Sequence, residues 1–136
     1  MKPLMCTLLM VFAVSAQAEW KKVTTYKLNA LDQSRDVDVY IDYSTIRRSG
    51  NTARGWLLLD TVRESESRFV KPSDYRSGKG LIEFDCYDYK LRTHAEVRHA
   101  GRMGTGRVTW TDYEISEWRP VPPQSDEANM MKLFCK

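Results

Sequence analysis

Histidine is nearly absent from this chain of 136 residues: His94 and His99 are the only two. They are therefore the only side chains that change charge near neutral pH without help from their surroundings. Five residues apart on one extended segment, they point to opposite faces and cannot grip a single metal ion together. The chain has no Gly-x-Ser-x-Gly elbow, no His-Glu-x-x-His helix and no Cys/His zinc spacing. Gly101-Arg-Met-Gly-Thr-Gly106 resembles a phosphate loop but lacks the Gly-Lys-Ser/Thr ending, and no helix follows it. The alternation on either side marks a hairpin turn instead. Asp38, Asp42, Asp60, Asp85 and Asp88 sit on strand faces expected to be wet, where nothing raises a carboxyl pKa for acid–base work. The reading is a non-enzymatic protein with no catalytic residue, no metal site and no cofactor.

Long apolar runs are missing too. The longest, residues 4–14, falls short of the roughly 20 residues that span a bilayer. It follows Lys2 and leads into Ala16-Gln17-Ala18, the layout of a secretory signal peptide. Residues 1–18 are read as a removed leader and 19–136 as one mature domain without a transmembrane segment. Charge is weak: the formal net charge is +3, and losing Lys2 lowers it by one to +2. That is no footprint for nucleic acid.

Cysteine is sparse, and its number changes on export. Cys6 leaves with the leader, and Lys2-Pro3-Leu4-Met5 ahead of it forms no lipid-attachment box. Cys86 and Cys135 remain, an even pair that in an exported chain reads as one structural disulfide.

The apolar residues alternate. In Leu81-Ile-Glu-Phe-Asp-Cys-Tyr-Asp-Tyr89, Ile82, Phe84 and Cys86 share one side, while Glu83, Asp85 and Tyr87 share the other. Similar alternation predicts strands over residues 20–28, 37–42, 91–99 and 107–113, and residues 52–62, apolar on both faces at Trp56-Leu57-Leu58-Leu59, read as a central strand. Leu91, Ala95 and Val97 are expected on one face, and Trp20, Trp56 and Trp110 are expected mainly in the core. Polar loops are expected over 29–36, 43–51 and 63–80. With short turns and no βαβ spacing, the order implies an antiparallel meander.

Pro120, Pro122 and Pro123 then lead to Ser125, which caps a helix with Asp126 and Glu127 in its first turn. Ala128, Met130, Met131, Phe134 and Cys135 make its apolar stripe, and Leu133 lies off it. The fold class is α+β and mainly β: about six antiparallel strands, with a C-terminal helix tethered by Cys86–Cys135.

Several separated pieces resemble the surface-adhesin protein E family of small exported bacterial domains. They are Trp20-x-x-Val23, Tyr40-Ile41-Asp42, Ser44-x-Ile46-Arg47, Gly50-Asn51 and Trp56-x-Leu58-x-Asp60. Further along come Glu83-Phe84-Asp85-Cys86, Met103-Gly104-x-Gly106, Glu117-Trp118-Arg119-Pro120-Val121-Pro122-Pro123 and Cys135. The resemblance implies a six-stranded sheet with a disulfide-tethered helix. It also implies binding of host matrix or plasma proteins, with homodimerisation as a further expectation.

The contact candidates are Arg98, Arg102, Arg107, Trp118 and Arg119, with the loop over residues 63–79; tryptophan and arginine are residue types that anchor interfaces. Lys136 joins them, because a partner can capture a terminal lysine through its carboxylate and ammonium. The alternative is a periplasmic inhibitor or envelope-maintenance protein, with residues 101–106 as the loop that enters an enzyme cleft. Without a lipid anchor, the place is the periplasm, the cell surface or the medium.

Overall fold

The structure, a computed structural model, describes residues 18–30, 33–64 and 74–136. The leader read at residues 1–18 lies outside this range except for Ala18, as do residues 65–73 of the long polar segment. The described elements are β1 (Trp20–Ala30), β2 (Gln33–Asp42), β3 (Arg47–Ser49), β4 (Thr52–Glu64) and β5 (Ser77–Asp85). They continue with β6 (Lys90–His99), β7 (Val108–Asp112), β8 (Arg119–Pro120) and the helix α1 (Asp126–Phe134).

The strands form one antiparallel sheet in the order β1-β2-β4-β5-β6-β7, with β3 paired to β4 and β8 to β6. Six strands thus make the path across the sheet, as the alternation implied. The two additions, β3 and β8, have three and two residues. Gly50, at φ +57°, turns β3 back onto β4, so part of the loop expected over 43–51 is paired.

Pairing also overrides the loop expected over 29–36. β1 and β2 stay in register from Lys27 opposite Asp36 to Ala30 opposite Gln33. β5 begins at Ser77, inside the stretch expected to be irregular. Gly78 and Gly80 have little strand propensity of their own, but they are held in register opposite Leu59 and Leu57 of β4. At its other end β5 stops at Asp85 rather than Tyr89. The Asp85 carboxylate accepts the amides of Tyr87 at 3.0 Å and Asp88 at 2.9 Å, which turns the chain just after Cys86 is reached.

β6 departs most from simple alternation. Leu81 faces Ala95 while its neighbour Ile82 faces Thr93, so His94 is an extra residue. Such a bulge inverts the in-out pattern beyond it. Leu91 therefore faces the core with Phe84, while Ala95 and Val97 lie on the opposite face. The same inversion brings His99, which pairs with Ser77, onto the face that carries His94, correcting the expectation of opposite faces.

The core lies between α1 and one sheet face. Met131 and Phe134 of the helix pack with Ile41, Ile46, Ala53, Leu57, Phe84, Leu91 and Val121. Phe134 meets Phe84 edge-on at 5.1 Å between ring centres. Leu133, off the expected stripe, also packs against this cluster. The helix starts where expected: the Ser125 hydroxyl accepts the Ala128 amide at 3.1 Å. It ends in the expected disulfide, with Cys86 and Cys135 Cα atoms 5.8 Å apart. The tryptophans do not fill the core. Trp20 and Trp56 are half-buried and Trp110 is 41% exposed. Trp20 and Trp110 belong to β1 and β7, the two edges of the sheet, where one side has no neighbouring strand.

Candidate interaction surface

Three of the five acids expected on wet faces, Asp38, Asp42 and Asp60, are instead among the most buried polar groups, while Asp85 is half-buried and Asp88 exposed. Asp38 and Asp60 are direct partners across β2 and β4, 7% and 0% exposed. Two carboxylates opposite each other repel, and each has its own cation. Lys22 Nζ lies 2.8 Å from Asp38, and Arg102 Nη2 lies 2.7 Å from Asp60. The hydrogen bond from Lys22, with another from Thr25, holds the Asp38 carboxyl below the usual range. Asp60 in turn raises the Arg102 guanidinium.

Arg102 arrives on the loop 101–106, which folds back over the sheet. The Met103 amide donates to Asp60 at 2.8 Å, and the Gly104 amide donates to Ser77 Oγ at 2.8 Å. Ser77 Oγ donates to the Gly101 carbonyl at 2.6 Å. Met103, Gly104 and Gly106 all take positive φ to make this path. The expected hairpin turn is present, but its polar groups are committed to the sheet.

A second polar cluster surrounds Glu83, which is 8% exposed. It accepts Arg92 Nε at 2.7 Å and also contacts His94 Nε2. Burial pushes its carboxyl up, but the hydrogen bonds from His94 and Arg92 outweigh this and leave it below the usual range. The Arg92 guanidinium stacks on the Trp118 ring at 4.4 Å.

These contacts show where the contact candidates stand. Arg102 is half of a structural ion pair, and Trp118 is the platform for Arg92 at the end of β6. Arg98 lies on the face that carries α1, because of the His94 bulge. It is held by Glu96 at 2.7 Å and lies between the rings of Trp110, at 4.4 Å, and Tyr75, at 5.0 Å.

Arg119 reaches Glu127 at 3.6 Å, over a cavity of about 380 Å³ floored by Leu57, Ile82, Phe84 and Met130. Tyr26 lines that cavity; burial, with Asp126 and Glu127 nearby, pushes its hydroxyl up to about 12. Arg107 is exposed beside β7. Lys136 lies at a groove formed with Tyr89, Pro123, Gln124 and Lys132. The six candidates therefore do not converge on one patch.

Sequence reasoning missed the edge itself. β7 ends the sheet and pairs with β6 alone among the described strands. The chain that follows stays beside β6, with the Ser116 amide donating to the Thr93 carbonyl at 2.9 Å. β8 then pairs with the start of β6. This edge displays Val108, Trp110, Tyr113 and Ile115, which are 47%, 41%, 68% and 57% exposed. The available signal was the apolar Ile115, just beyond the strand expected over residues 107–113.

The model of the family described as surface-adhesin protein E matches residues 14–136. No curated protein sequence matches. Among solved structures, crystal form II of Haemophilus influenzae protein E is similar at 15% identity and a TM-score of 0.55, covering 71% of this chain and 79% of that one. A crystal structure of protein E from non-typeable Haemophilus influenzae is similar at 13% identity and a TM-score of 0.54, covering 88% of this chain and 85% of that one. At such identities the structures establish a shared fold.

Proposed function

The chain belongs to the surface-adhesin protein E family, and from that premise we propose that it binds a host matrix or plasma protein through the edge 108–118. Membership makes it a non-enzymatic, exported, adhesin-type protein. The finer reading rests on one observation, the apolar residues displayed along an unpaired strand edge. A free edge offers a row of backbone donors and acceptors, and a partner strand can add to it. Trp110 and Tyr113 are the aromatic types that carry interface energy. Arg98, held between Tyr75 and Trp110, is pre-ordered as a cationic anchor. Trp118 closes the far end.

In this reading residues 1–18 are removed on export and the mature domain stands outside the cell. The same edge is where two copies would meet as a homodimer, because two free edge strands can pair into one continuous sheet.

Two measurements test this. Protease shaving of intact cells should cleave the protein while a periplasmic control survives. Trp110→Ser/Tyr113→Ser should then weaken binding to immobilised matrix proteins at least tenfold, with the fold retained by circular dichroism. Protection until the outer membrane is opened would overturn the location. Undiminished binding by the double variant would overturn the surface.

A further inference from the structure

Strand register aligns four charged side chains across the sheet face opposite α1. Arg47 on β3 stands opposite Arg54 on β4, Arg54 opposite Glu83 on β5, and Glu83 opposite Arg92 on β6. With strands about 4.8 Å apart, the row crosses the sheet over roughly 15 Å. Its sign is mainly positive, and the protein does little to offset it. Glu83 is already engaged by Arg92 and His94. Asp85, two residues along β5, accepts the amides of its own turn.

Arg54 makes no ion pair among the described residues, nor does Arg48 on the same hairpin. Arg47 donates only to the carbonyls of Ser44 at 2.7 Å and Ile46 at 3.0 Å, which aim its guanidinium without neutralising it. Like charges directly opposite each other oppose strand pairing. The exposed Arg47–Arg54 pair therefore has no role in holding this sheet together.

We propose that this row is a binding site for a linear sulfated polysaccharide. Guanidinium forks match oxyanions with two parallel hydrogen bonds, and an anion laid across Arg47 and Arg54 would remove their repulsion. Arg54 and Glu83 lie in the body of the sheet, where β4 and β5 are paired on both sides, and β3, which carries Arg47 and pairs with β4 alone, has only three residues. An acidic peptide would find no more than that short edge to extend. A polymer whose charges are fixed to stiff rings loses little conformational freedom on docking. Half-buried Trp56, two residues from Arg54 on the same face, supplies flat apolar surface for sugar rings. The site is separate from the edge proposed for protein binding and does not depend on it.

Isothermal titration of the purified exported protein with a heparin-derived oligosaccharide tests the site. De-sulfated oligosaccharide and poly-glutamate serve as comparison ligands. Binding should weaken about twenty- to fortyfold as salt rises from about 0.05 to 0.2 M, the response of about three neutralised charges. Arg47→Ala/Arg54→Ala should lose at least tenfold in affinity at an unchanged or higher melting temperature. Lys27→Ala/Lys132→Ala, which removes the same charge elsewhere, should bind as the wild type does. No binding at low salt would overturn the proposal, as would equal binding by the arginine double variant. Poly-glutamate binding as tightly as the oligosaccharide would overturn it in favour of an acidic polypeptide partner.

Discussion

Asp60 shows what a single residue can hold in this fold. Its carboxylate is fully buried and binds three donors, two from the Arg102 guanidinium and one from the Met103 amide. Removing one partner of a buried ion pair leaves the other without compensation, at about 3–5 kcal/mol. Arg102 is half exposed and can turn to water, so Asp60→Ala should fall at or below the low end, about 2–3 kcal/mol by urea unfolding. The loop 101–106 should lose amide-exchange protection in the same variant. Glycine matters as sharply at Gly55. A Cβ there would stand 3.0 Å from both Ile46 Cγ1 and Phe134 Cε1, in the contact between sheet and helix. Gly55→Ala should destabilise by about 1–3 kcal/mol through overpacking, visible as a lower thermal midpoint. Neither role was legible in the sequence. Asp60 looked like one of many strand acids, and nothing local says that Arg102 returns to it from 42 residues away.

At the scale of elements, legibility followed the range of the interaction. Alternation located the strands, and Ser125 with its acidic first turn located α1, because these signals lie within a few neighbouring residues. The His94 bulge was invisible. It depends on how β5 and β6 register, and it moves Arg98 from the face of Arg92 to the face of α1. The helix shows how much one covalent link supplies. The Cys86–Cys135 bridge closes a loop of 49 residues, for which the chain-entropy estimate is ~4 kcal/mol. Against ~5–15 kcal/mol for a small domain, Cys86→Ser should lower the thermal midpoint by more than ten degrees and expose α1 to proteolysis. An unchanged midpoint would mean that packing of Met131 and Phe134 alone holds the helix.

Across the whole molecule, acid carboxylates tie the fold to pH. Asp38 and Glu83 both have folded pKa values below their ordinary range. A group whose pKa is depressed by folding contributes stability above its unfolded pKa and loses it as pH falls through the folded one. Urea midpoints should therefore be level near neutrality and decline from about pH 5 downward, where the unfolded carboxyls begin to bind protons first. Lys22→Met removes the leading cause of the Asp38 depression and should make that decline shallower, while lowering the midpoint at pH 7. Salt provides an independent test, because the two proposed surfaces differ in kind. The edge 108–118 is apolar and aromatic, and the net charge of the chain is only +3, so long-range steering of a protein partner is weak. Binding through the edge should change less than about threefold between 0.05 and 0.5 M salt. Oligosaccharide binding at the arginine row should fall steeply over the same range. The surfaces share no residue, and mutations at separated sites add. Trp110→Ser/Tyr113→Ser should therefore abolish the salt-insensitive activity alone, and Arg47→Ala/Arg54→Ala the salt-sensitive one alone. Loss of both activities in either variant would mean that the protein binds through one continuous surface.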